Sequence, residues 1–477
     1  MKPLLRAVRR VIEVRWQALR TGIANLAVLR VLRHAHPLPV AALRACDVLI
    51  MTWAGERTFP SSGIKDNDVY FGALPGLLRE GGLKVGYIAN PLFWMSPFPA
   101  IAENCAAAAD PVLITEDCLN ARDLLAALVR SLRAPFPGGK RLRLEGLDLT
   151  ALARREVWIE RSKWRSGQAW LRLNVGRTLH RHGVAPKAVI MSYEGQPWEK
   201  MVRAGLRRHC PDTKIIACQV SMFGAPYLSF YPSRAEITQG RSPDRLWVSG
   251  EYYADLFRRH GFPPERLDVI GAVRYQTFLD HLLSLAADGA ADGVSPNRTD
   301  GLTVLCTTSI EYQESLELVH KTALAVAALG QGRVLVNFHP VTDQAFRQRL
   351  KTAVAALVGV EPDWLDYVDG GVQALLARAS VVVYNSSGTA FEALAAGVPT
   401  IYVGRDLAID QDKIPDAVAV RCRSVEELRA RLVALTATDD HATDKNKTLP
   451  SPKRVGEMVA SCLAPVRVEM ITAGAAR

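Results

Sequence analysis

Hydroxyl and glycine residues follow a buried strand late in the chain and could hold a phosphate. The strand VVVY (381–384) leads into the turn NSSGT (385–389), and a helical stretch then runs to Gly397. Backbone N–H groups, hydroxyls and the positive end of a helix dipole all favour an anion at such a turn. Glu392, one helical turn further on, could reach a ribose diol. The simpler alternative is that Ser387 caps the helix and Glu392 pairs at the surface. The phosphate contacts predicted here are Ser386, Ser387, Gly388 and Thr389.

Two further turns of the same kind close neighbouring predicted strands. The strand VLVNF (334–338) ends in His339-Pro340, and LTVLC (302–306) is followed by Thr308 and Ser309. Ligands of parallel sheets bind along the carboxyl edge of the strands. A histidine there could donate to a phosphate oxygen and stabilise the charge that builds on a departing nucleotide. A lone histidine more often makes a local hydrogen bond, but three turns on one sheet edge favour a nucleotide-phosphate site.

Glutamates in the first half of the chain could supply a general base. Glu194 follows the strand KAVIMS (187–192), and a partly desolvated glutamate at a sheet edge can remove a proton. Glu199, at the start of the next helix, and Glu56, after the first strand, are alternatives in the same half of the chain. Each of the three could equally be an ordinary acid at the start of a helix.

A metal centre or resident cofactor is not predicted. The triplet Asp66-Asn67-Asp68 lies in a turn, where such residues are common and Asp68 can cap a helix. The eight cysteines are scattered without a CxxC pair. They are expected to be reduced thiols in a reducing compartment.

Short β-branched runs alternate with helical stretches from residue 47 onward, a pattern typical of parallel sheets covered by helices. Two successive sets of strands, the second beginning at RLWVSG (245–250), predict an α/β fold of two Rossmann-like, doubly wound domains facing a central cleft. The joint is expected in the polar stretch 232–244. The predicted segments are 1–45, a basic helical extension; 46–238, the first domain; 239–435, the second domain; and 436–477, a loop and helix.

The extension at 1–45 carries nine basic residues and one acid, and its apolar residues recur at helical spacing. Such a helix either binds an anionic membrane surface or packs its apolar face on the protein. Nucleic-acid binding is less favoured because no recognition pattern follows. The chain has neither an apolar run of 18 residues nor a signal-peptide pattern, so we expect a cytoplasmic protein, peripheral at most to the inner face of the membrane.

Three stretches resemble known enzymes of bacterial surface-carbohydrate (lipopolysaccharide, O-antigen and capsule) synthesis. The His-Pro pair and the later Ser-Ser pair resemble the HP and SS motifs of transferases that use cytidine-activated donors, such as sialyltransferases and Kdo transferases. The stretch 248–276 resembles a domain opening in GT-B glycosyltransferases. The stretch 191–224, which contains YEGQPWEK (193–200), resembles the YEGQPWEK region of a bacterial surface-carbohydrate family.

The resemblance implies a metal-independent GT-B glycosyltransferase with the base on the first domain and the donor nucleotide on the second. Glu194 would be the base and His339 would stabilise the leaving phosphate. The implied donor is a CMP-activated ulosonic acid, and the acceptor is a glycan or a lipid-linked glycan. Alternatives are a CDP-glycerol-type polyol-phosphate transferase, a UDP-sugar glycosyltransferase or epimerase, and a non-catalytic scaffold of the same fold.

Overall fold

A computed structural model describes residues 36–280, 301–436 and 452–476, with gaps at 57, 60–67, 69, 93–95, 133–140, 145, 163, 341, 360–361, 369–370 and 407. A few isolated positions before residue 36 are also described. Most of the predicted helix at 1–45, and Asp66 and Asn67, lie outside the described residues. The described positions between Arg9 and Arg20 are helical.

The first domain is built on a seven-stranded parallel sheet with the order β3-β2-β1-β6-β7-β8-β9. Its central strands are buried on both faces, as continuous apolar runs such as VLIM require. The strands are β1 (Val48–Ala54), β2 (Val85–Pro91), β3 (Val112–Ile114), β6 (Ala188–Ser192), β7 (Lys214–Cys218), β8 (Arg245–Val248) and β9 (Leu267–Val269). A small antiparallel hairpin joins β4 (Arg143–Leu144) to β5 (Leu147–Asp148).

Helices cover both faces of this sheet and form a separate group between β3 and β6. They are α1 (Val40–Arg44), α2 (Leu74–Glu80), α3 (Phe98–Ala106), α4 (Ala121–Leu132), α5 (Thr150–Ser162), α6 (Trp164–Leu171), α7 (Asn174–Arg181), α8 (Pro197–His209), α9 (Arg234–Thr238) and α10 (Glu251–Arg259).

The second domain is built on a six-stranded parallel sheet with the order β12-β11-β10-β13-β14-β15. Its strands are β10 (Thr303–Thr307), β11 (Arg333–Asn337), β12 (Leu365–Val368), β13 (Val381–Tyr384), β14 (Thr400–Val403) and β15 (Arg421–Cys422). Its helices are α11 (Tyr312–Ala327), α12 (Gln344–Val358), α13 (Val372–Leu376), α14 (Thr389–Ala395) and α15 (Val425–Thr436). The predicted two-domain, doubly wound α/β architecture is confirmed, and the edge strand β12 is an addition to it.

The predicted joint at 232–244 is wrong. Strand β8 pairs with β7, and β9 pairs with β8, so both belong to the first sheet. The sheet changes only between β9 and β10, and the polar stretch 232–244 is a crossover within the first domain that contains α9. A strand and helix alternation looks the same within one sheet as between two, so the pattern could not locate the change.

The end of the chain returns to the first domain as two helices, α16 (Pro452–Cys462) and α17 (Val468–Ala476). Ile471 and Ala475 are buried in the core of the first sheet. The backbone between the helices hydrogen-bonds to the ends of β8 and β9, through Ala464 N–H to Ser249 O and Arg467 N–H to Ile270 O. The predicted loop and helix at 436–477 is therefore in part a structural component of the first domain.

The two domains share an apolar cluster beside the cleft. Phe223, Tyr253 and Phe257 of the first domain belong to the same cluster as Tyr384 and Phe391 of the second. All eight cysteines lie in the described part of the chain and are unpaired, as expected. Among the described helices, none combines the length and apolar character needed to cross a bilayer.

Candidate active site

The turn after β6 holds Glu194 in a conformation that depends on glycine. Gly195 has a φ of +68°, in the left-handed region that favours glycine. A Cβ at Gly195 would also lie only 1.7 Å from the carbonyl oxygen of Ser229. The glycine therefore allows two backbone segments to meet directly beneath Glu194.

Glu199 holds this turn from the protein interior and is not positioned to reach an acceptor. It is fully buried, and its carboxyl group accepts hydrogen bonds from the N–H groups of Glu194 and Gln196 and from the Ser192 hydroxyl, all at 3.1 Å. Burial raises the pKa of Glu199 to about 8. The prediction that Glu199 is an acceptor-side base is wrong, because its carboxyl group caps α8 and binds the Glu194 backbone.

The Glu194 carboxylate is half-buried, and Ser221, just beyond β7, donates to its Oε1 at 2.7 Å. Glu56, the other candidate, is exposed beyond β1, where its N–H donates to Ser96 Oγ at 3.2 Å. Of the three predicted acids, Glu194 alone combines partial burial with a side-chain hydrogen bond that orients the carboxylate.

Two of the three predicted turns of the second domain are joined by a residue that the sequence did not single out. The Glu314 carboxylate, in the first turn of α11, accepts from Ser309 Oγ at 2.8 Å and from Ser386 Oγ at 3.0 Å. The Glu314 carbonyl also accepts from the Asn385 amide at 2.8 Å. The hydroxyls of Ser309 and Ser386, two of those predicted to bind the nucleotide, are therefore directed to Glu314 and link the ends of β10 and β13.

The His-Pro turn after β11 is held to the neighbouring strand β10 by Thr308. Thr308 Oγ1 accepts from the His339 N–H at 3.1 Å, which ties the His-Pro turn to the end of β10. Thr308 itself is buried, and Pro340 is exposed. The His339 side chain is half-buried.

The Ser387 hydroxyl makes a local hydrogen bond at the start of α14, which is close to the simpler alternative for this residue. Ser387 Oγ accepts from the Thr389 N–H at 3.3 Å, and Gly388 is the residue that precedes α14. Glu392 does not pair at the surface. It is half-buried, and burial raises its pKa while the nearby Arg274 lowers it.

Arg274 lies in the turn that follows β9 and interacts with both domains. Its guanidinium lies 5.1 Å from the Tyr70 ring and donates to Val220 O at 3.5 Å. The same charge acts on Glu392 and His339 of the second domain. Arg274 is therefore a first-domain cation whose charge reaches the second-domain turns.

Lys413 is a second cation of the cleft, supplied by the second domain. Its side chain is mostly buried and makes neither a hydrogen bond nor an ion pair with any residue that the structure describes. Burial lowers the pKa of Lys413, and Arg274 lowers it further, whereas Glu194 and Glu314 raise it. A largely desolvated ammonium without a direct partner is costly unless an anion binds to it.

The loop that carries Lys413 is held rigidly by its neighbour Asp412. The Asp412 carboxylate accepts from Tyr384 OH at 2.7 Å, from Arg421 Nε at 2.7 Å and from the Ile414 N–H at 3.0 Å. A Cβ on Gly224 of the first domain would lie 1.9 Å from Asp412 O, so the two domains are in backbone contact at this point. This loop places the Lys413 ammonium within range of the Glu194 charge.

His339 shares this positive environment. Burial lowers the pKa of His339, and the charges of Lys413 and Arg274 lower it further. The cleft thus brings together three groups that can bind an anion, Arg274, His339 and Lys413, opposite one oriented carboxylate, Glu194. No cluster of side chains that could hold a metal ion occurs among the described residues.

No protein-family profile matches the chain, and no curated protein sequence matches it. Solved structures of nucleotide-sugar enzymes resemble its fold. The UDP-GlcNAc 2-epimerase from Neisseria meningitidis, bound to UDP-GlcNAc, is 10% identical, with 87% of this chain and 94% of that chain covered and a TM-score of 0.48. HepE from Anabaena, in complex with UDP and glucose, is 11% identical, with 90% and 98% covered and a TM-score of 0.44. The UDP-GlcNAc 2-epimerase from Methanocaldococcus jannaschii is 12% identical, with 86% and 98% covered and a TM-score of 0.44.

Sequence reasoning missed four residues of this site: Ser221, Arg274, Glu314 and Lys413. Arg274 and Ser221 follow strand ends, a signal that could have identified them. Glu314 and Lys413 carry no such signal, because one lies inside a helix and the other in a long loop between β14 and β15.

Proposed function

We propose that the chain is a glycosyltransferase that uses a nucleotide-activated sugar, with the donor phosphate bound by Arg274, His339 and Lys413. The observation that carries the proposal is the Lys413 ammonium, which is largely desolvated, lacks a direct partner among the described residues and feels the charge of Glu194. A donor phosphate would supply the missing negative charge. The pathway we propose is the synthesis of a bacterial surface polysaccharide, in line with the resemblance of residues 193–200.

The proposed reaction uses the charges on both sides of the cleft. An acceptor hydroxyl attacks the anomeric carbon of the donor, and Glu194 takes the hydroxyl proton. The bond between the anomeric carbon and the phosphate oxygen breaks, and its electron pair leaves on the phosphate. Arg274, Lys413 and protonated His339 stabilise that charge in a site that is already arranged to receive it.

The His-Pro and Ser-Ser motifs support a CMP-activated ulosonic acid as the donor. Several structures of similar fold were solved with UDP or a UDP-sugar, so a UDP-sugar is the donor to compare with it. The His-Pro turn supports the CMP-activated donor only through resemblance. Arg274, His339 and Lys413 could bind the phosphate groups of a CMP-sugar or of a UDP-sugar.

A second candidate function is a UDP-sugar epimerase. It is favoured by one observation: Glu392 is half-buried within range of the Arg274 charge, and burial raises the pKa of Glu392. A second carboxyl group with a raised pKa could work with Glu194 as an acid and base pair acting on one sugar.

Incubation of the purified chain with CMP-, CDP- and UDP-activated donors, each with and without glycan acceptors, tests these proposals by mass spectrometry. We expect a glycosidic product from one donor only when an acceptor is present. An epimer formed without an acceptor would establish the second candidate, and a phosphodiester product would establish a polyol-phosphate transferase. A donor that binds without any turnover would support a scaffold and overturn the proposed function.

A further inference from the structure

The positive charge of the chain is concentrated in two segments. Residues 1–45 contain nine basic and one acidic side chain, and residues 121–181 contain 14 basic and five acidic ones. The two segments therefore carry net charges of +8 and +9, whereas the rest of the chain carries −6 within the total of +11. The excess belongs to specific segments and not to the surface in general.

These two segments meet in the structure. The Arg15 guanidinium lies 5.4 Å from the ring of Trp158 in α5. Val28 lines a small cavity together with Leu124 of α4 and Leu171 of α6. Arg15 and Val28 of the N-terminal segment therefore lie against the helical group formed by α4, α5 and α6.

Large apolar side chains of this helical group face solvent. Leu125 and Val129, one turn apart on α4, are exposed, Leu125 by 60%. The Arg130 guanidinium stacks 4.2 Å from the ring of Trp170, which is itself 45% exposed. The inner face of α4 packs on α6 through Leu124 and Ala127, so the outer face has no part in the core.

The N-terminal helix adds a second exposed apolar pair. Ile12 and Trp16 lie one turn apart, and 66% of the Trp16 surface is exposed. The acids of these elements are already paired: Glu13 with Arg9 at 2.7 Å, and Asp123 with Arg177 at 2.8 Å. The exposed arginines Arg122 and Arg130 have no acidic partner among the described residues.

We propose that this surface, formed by Ile12, Trp16, Arg122, Leu125, Val129, Arg130 and Trp170, binds an anionic lipid bilayer. Leucine, valine and tryptophan side chains enter the boundary between headgroups and acyl chains, and arginines beside them contact the anionic headgroups. Nucleic acid fits less well, because it would leave the exposed leucine and valine facing phosphates. The proposal is independent of the reaction proposed above.

Sedimentation with vesicles tests it. We expect the full chain to sediment with vesicles of equal parts phosphatidylcholine and phosphatidylglycerol, and to remain in solution with phosphatidylcholine alone. Leu125→Ser combined with Val129→Ser should remove most of the binding. Arg122→Glu combined with Arg130→Glu should lower the partition coefficient by at least about twentyfold, since each basic residue near the headgroups contributes roughly a factor of five.

Matched controls come from the second domain. Leu357→Ser replaces an equally exposed leucine of α12, and Arg378→Glu reverses an exposed arginine. Both should bind vesicles like the unmodified chain, and all variants should keep its thermal unfolding midpoint. Failure of the unmodified chain to bind anionic vesicles, an equal loss in the controls, or tighter binding to a single-stranded oligonucleotide than to the vesicles would overturn the proposal.

Discussion

Glu194 of the first domain and Lys413 of the second lie close enough across the cleft for the carboxylate to act on the ammonium. Burial lowers the pKa of Lys413, and Glu194 is the largest influence that raises it. The backbone contact between Gly224 and Asp412 holds the two residues in this relationship. The proposed proton acceptor, Glu194, and the proposed anion-binding group, Lys413, therefore lie in the same part of the cleft.

Replacement of Lys413 should weaken donor binding more than any surface change. For Lys413→Met we expect the dissociation constant of the nucleotide donor to rise by about tenfold to a hundredfold, the effect of losing a charged hydrogen bond of roughly 1.5–3 kcal/mol. Isothermal titration calorimetry measures it. Lys187→Met, which removes an exposed lysine paired with Asp47 at 3.1 Å, is the control and should change nothing. Unchanged affinity in the Lys413 variant would show that the phosphate binds elsewhere.

Glu194→Gln should lower kcat by about 10²–10⁴-fold while the dissociation constant of the donor stays nearly constant, since a general base acts in the chemical step. Ser221→Ala should lower kcat less, because it removes only the hydrogen bond that orients the carboxylate. Steady-state kinetics with the accepted donor would show both effects. Glu56→Gln should retain full activity. The assignment of the base is wrong if the Glu56 variant, and not the Glu194 variant, loses turnover.

Gly195→Ala should destabilise the fold by more than backbone strain alone explains. Gly195 and Gly240 have nearly the same φ, +68° and +64°, but a Cβ at Gly240 meets nothing within 4 Å. Gly240→Ala should therefore cost about 1 kcal/mol, and Gly195→Ala at least about 2 kcal/mol more, because the Ser229 carbonyl must move. Urea denaturation of the two variants provides the comparison. Equal losses would contradict the close approach beneath Glu194.

Nucleotide binding should be coupled to proton uptake at His339. Burial and the neighbouring cations lower the pKa of this histidine, so it is largely neutral in the empty cleft at neutral pH. A bound phosphate favours the protonated form, so affinity should increase as the pH falls from about 8 toward the ordinary histidine value near 6.5. Calorimetry in buffers of different ionisation enthalpy counts the protons. His339→Gln should abolish the uptake, and persistent uptake in this variant would assign it to another group.

Glu199 should make the fold less stable at alkaline pH. Its pKa in the folded chain, about 8, lies above the ordinary value of 4.5. The stability that the protonated carboxyl group contributes is therefore complete below about pH 4.5 and is lost as the pH rises through about 8. Glu199→Gln cannot ionise, so its difference in unfolding free energy from the unmodified chain should shrink across this range. A difference that grows with pH would show that Glu199 is ionised in the fold.

Local residue patterns were sufficient to predict most of the architecture. Long apolar runs such as VLIM and VVVY require burial on both faces, and their alternation with helical stretches specifies parallel sheets. The same logic located the ends of β6, β10, β11 and β13, because glycine, serine, threonine and His-Pro turns mark where strands stop. The predicted base Glu194 and the half-buried His339 both lie at those ends.

The sheet to which a strand belongs was decided by pairing across the fold. Strands β8 and β9 have the local composition of a new domain, yet they extend the first sheet, and helices from the end of the chain cover them. Likewise, the local sequence around Glu199 does not distinguish a capping acid from a catalytic one, because the burial of Glu199 depends on residues from other segments that pack against it.

The chain by itself therefore determined the fold class and the edges of the sheets where chemistry could occur, since short-range hydrophobic patterning and turn residues control both. Only the tertiary structure decided which polar side chains are already satisfied and which are not. The hydroxyls of Ser309 and Ser386 are directed to Glu314, while Arg274 and Lys413 converge on the cleft from different domains. Hydrogen-bond partners and electrostatic neighbours depend on distances between segments that are far apart in the chain. The local spacing of residues does not predict those distances.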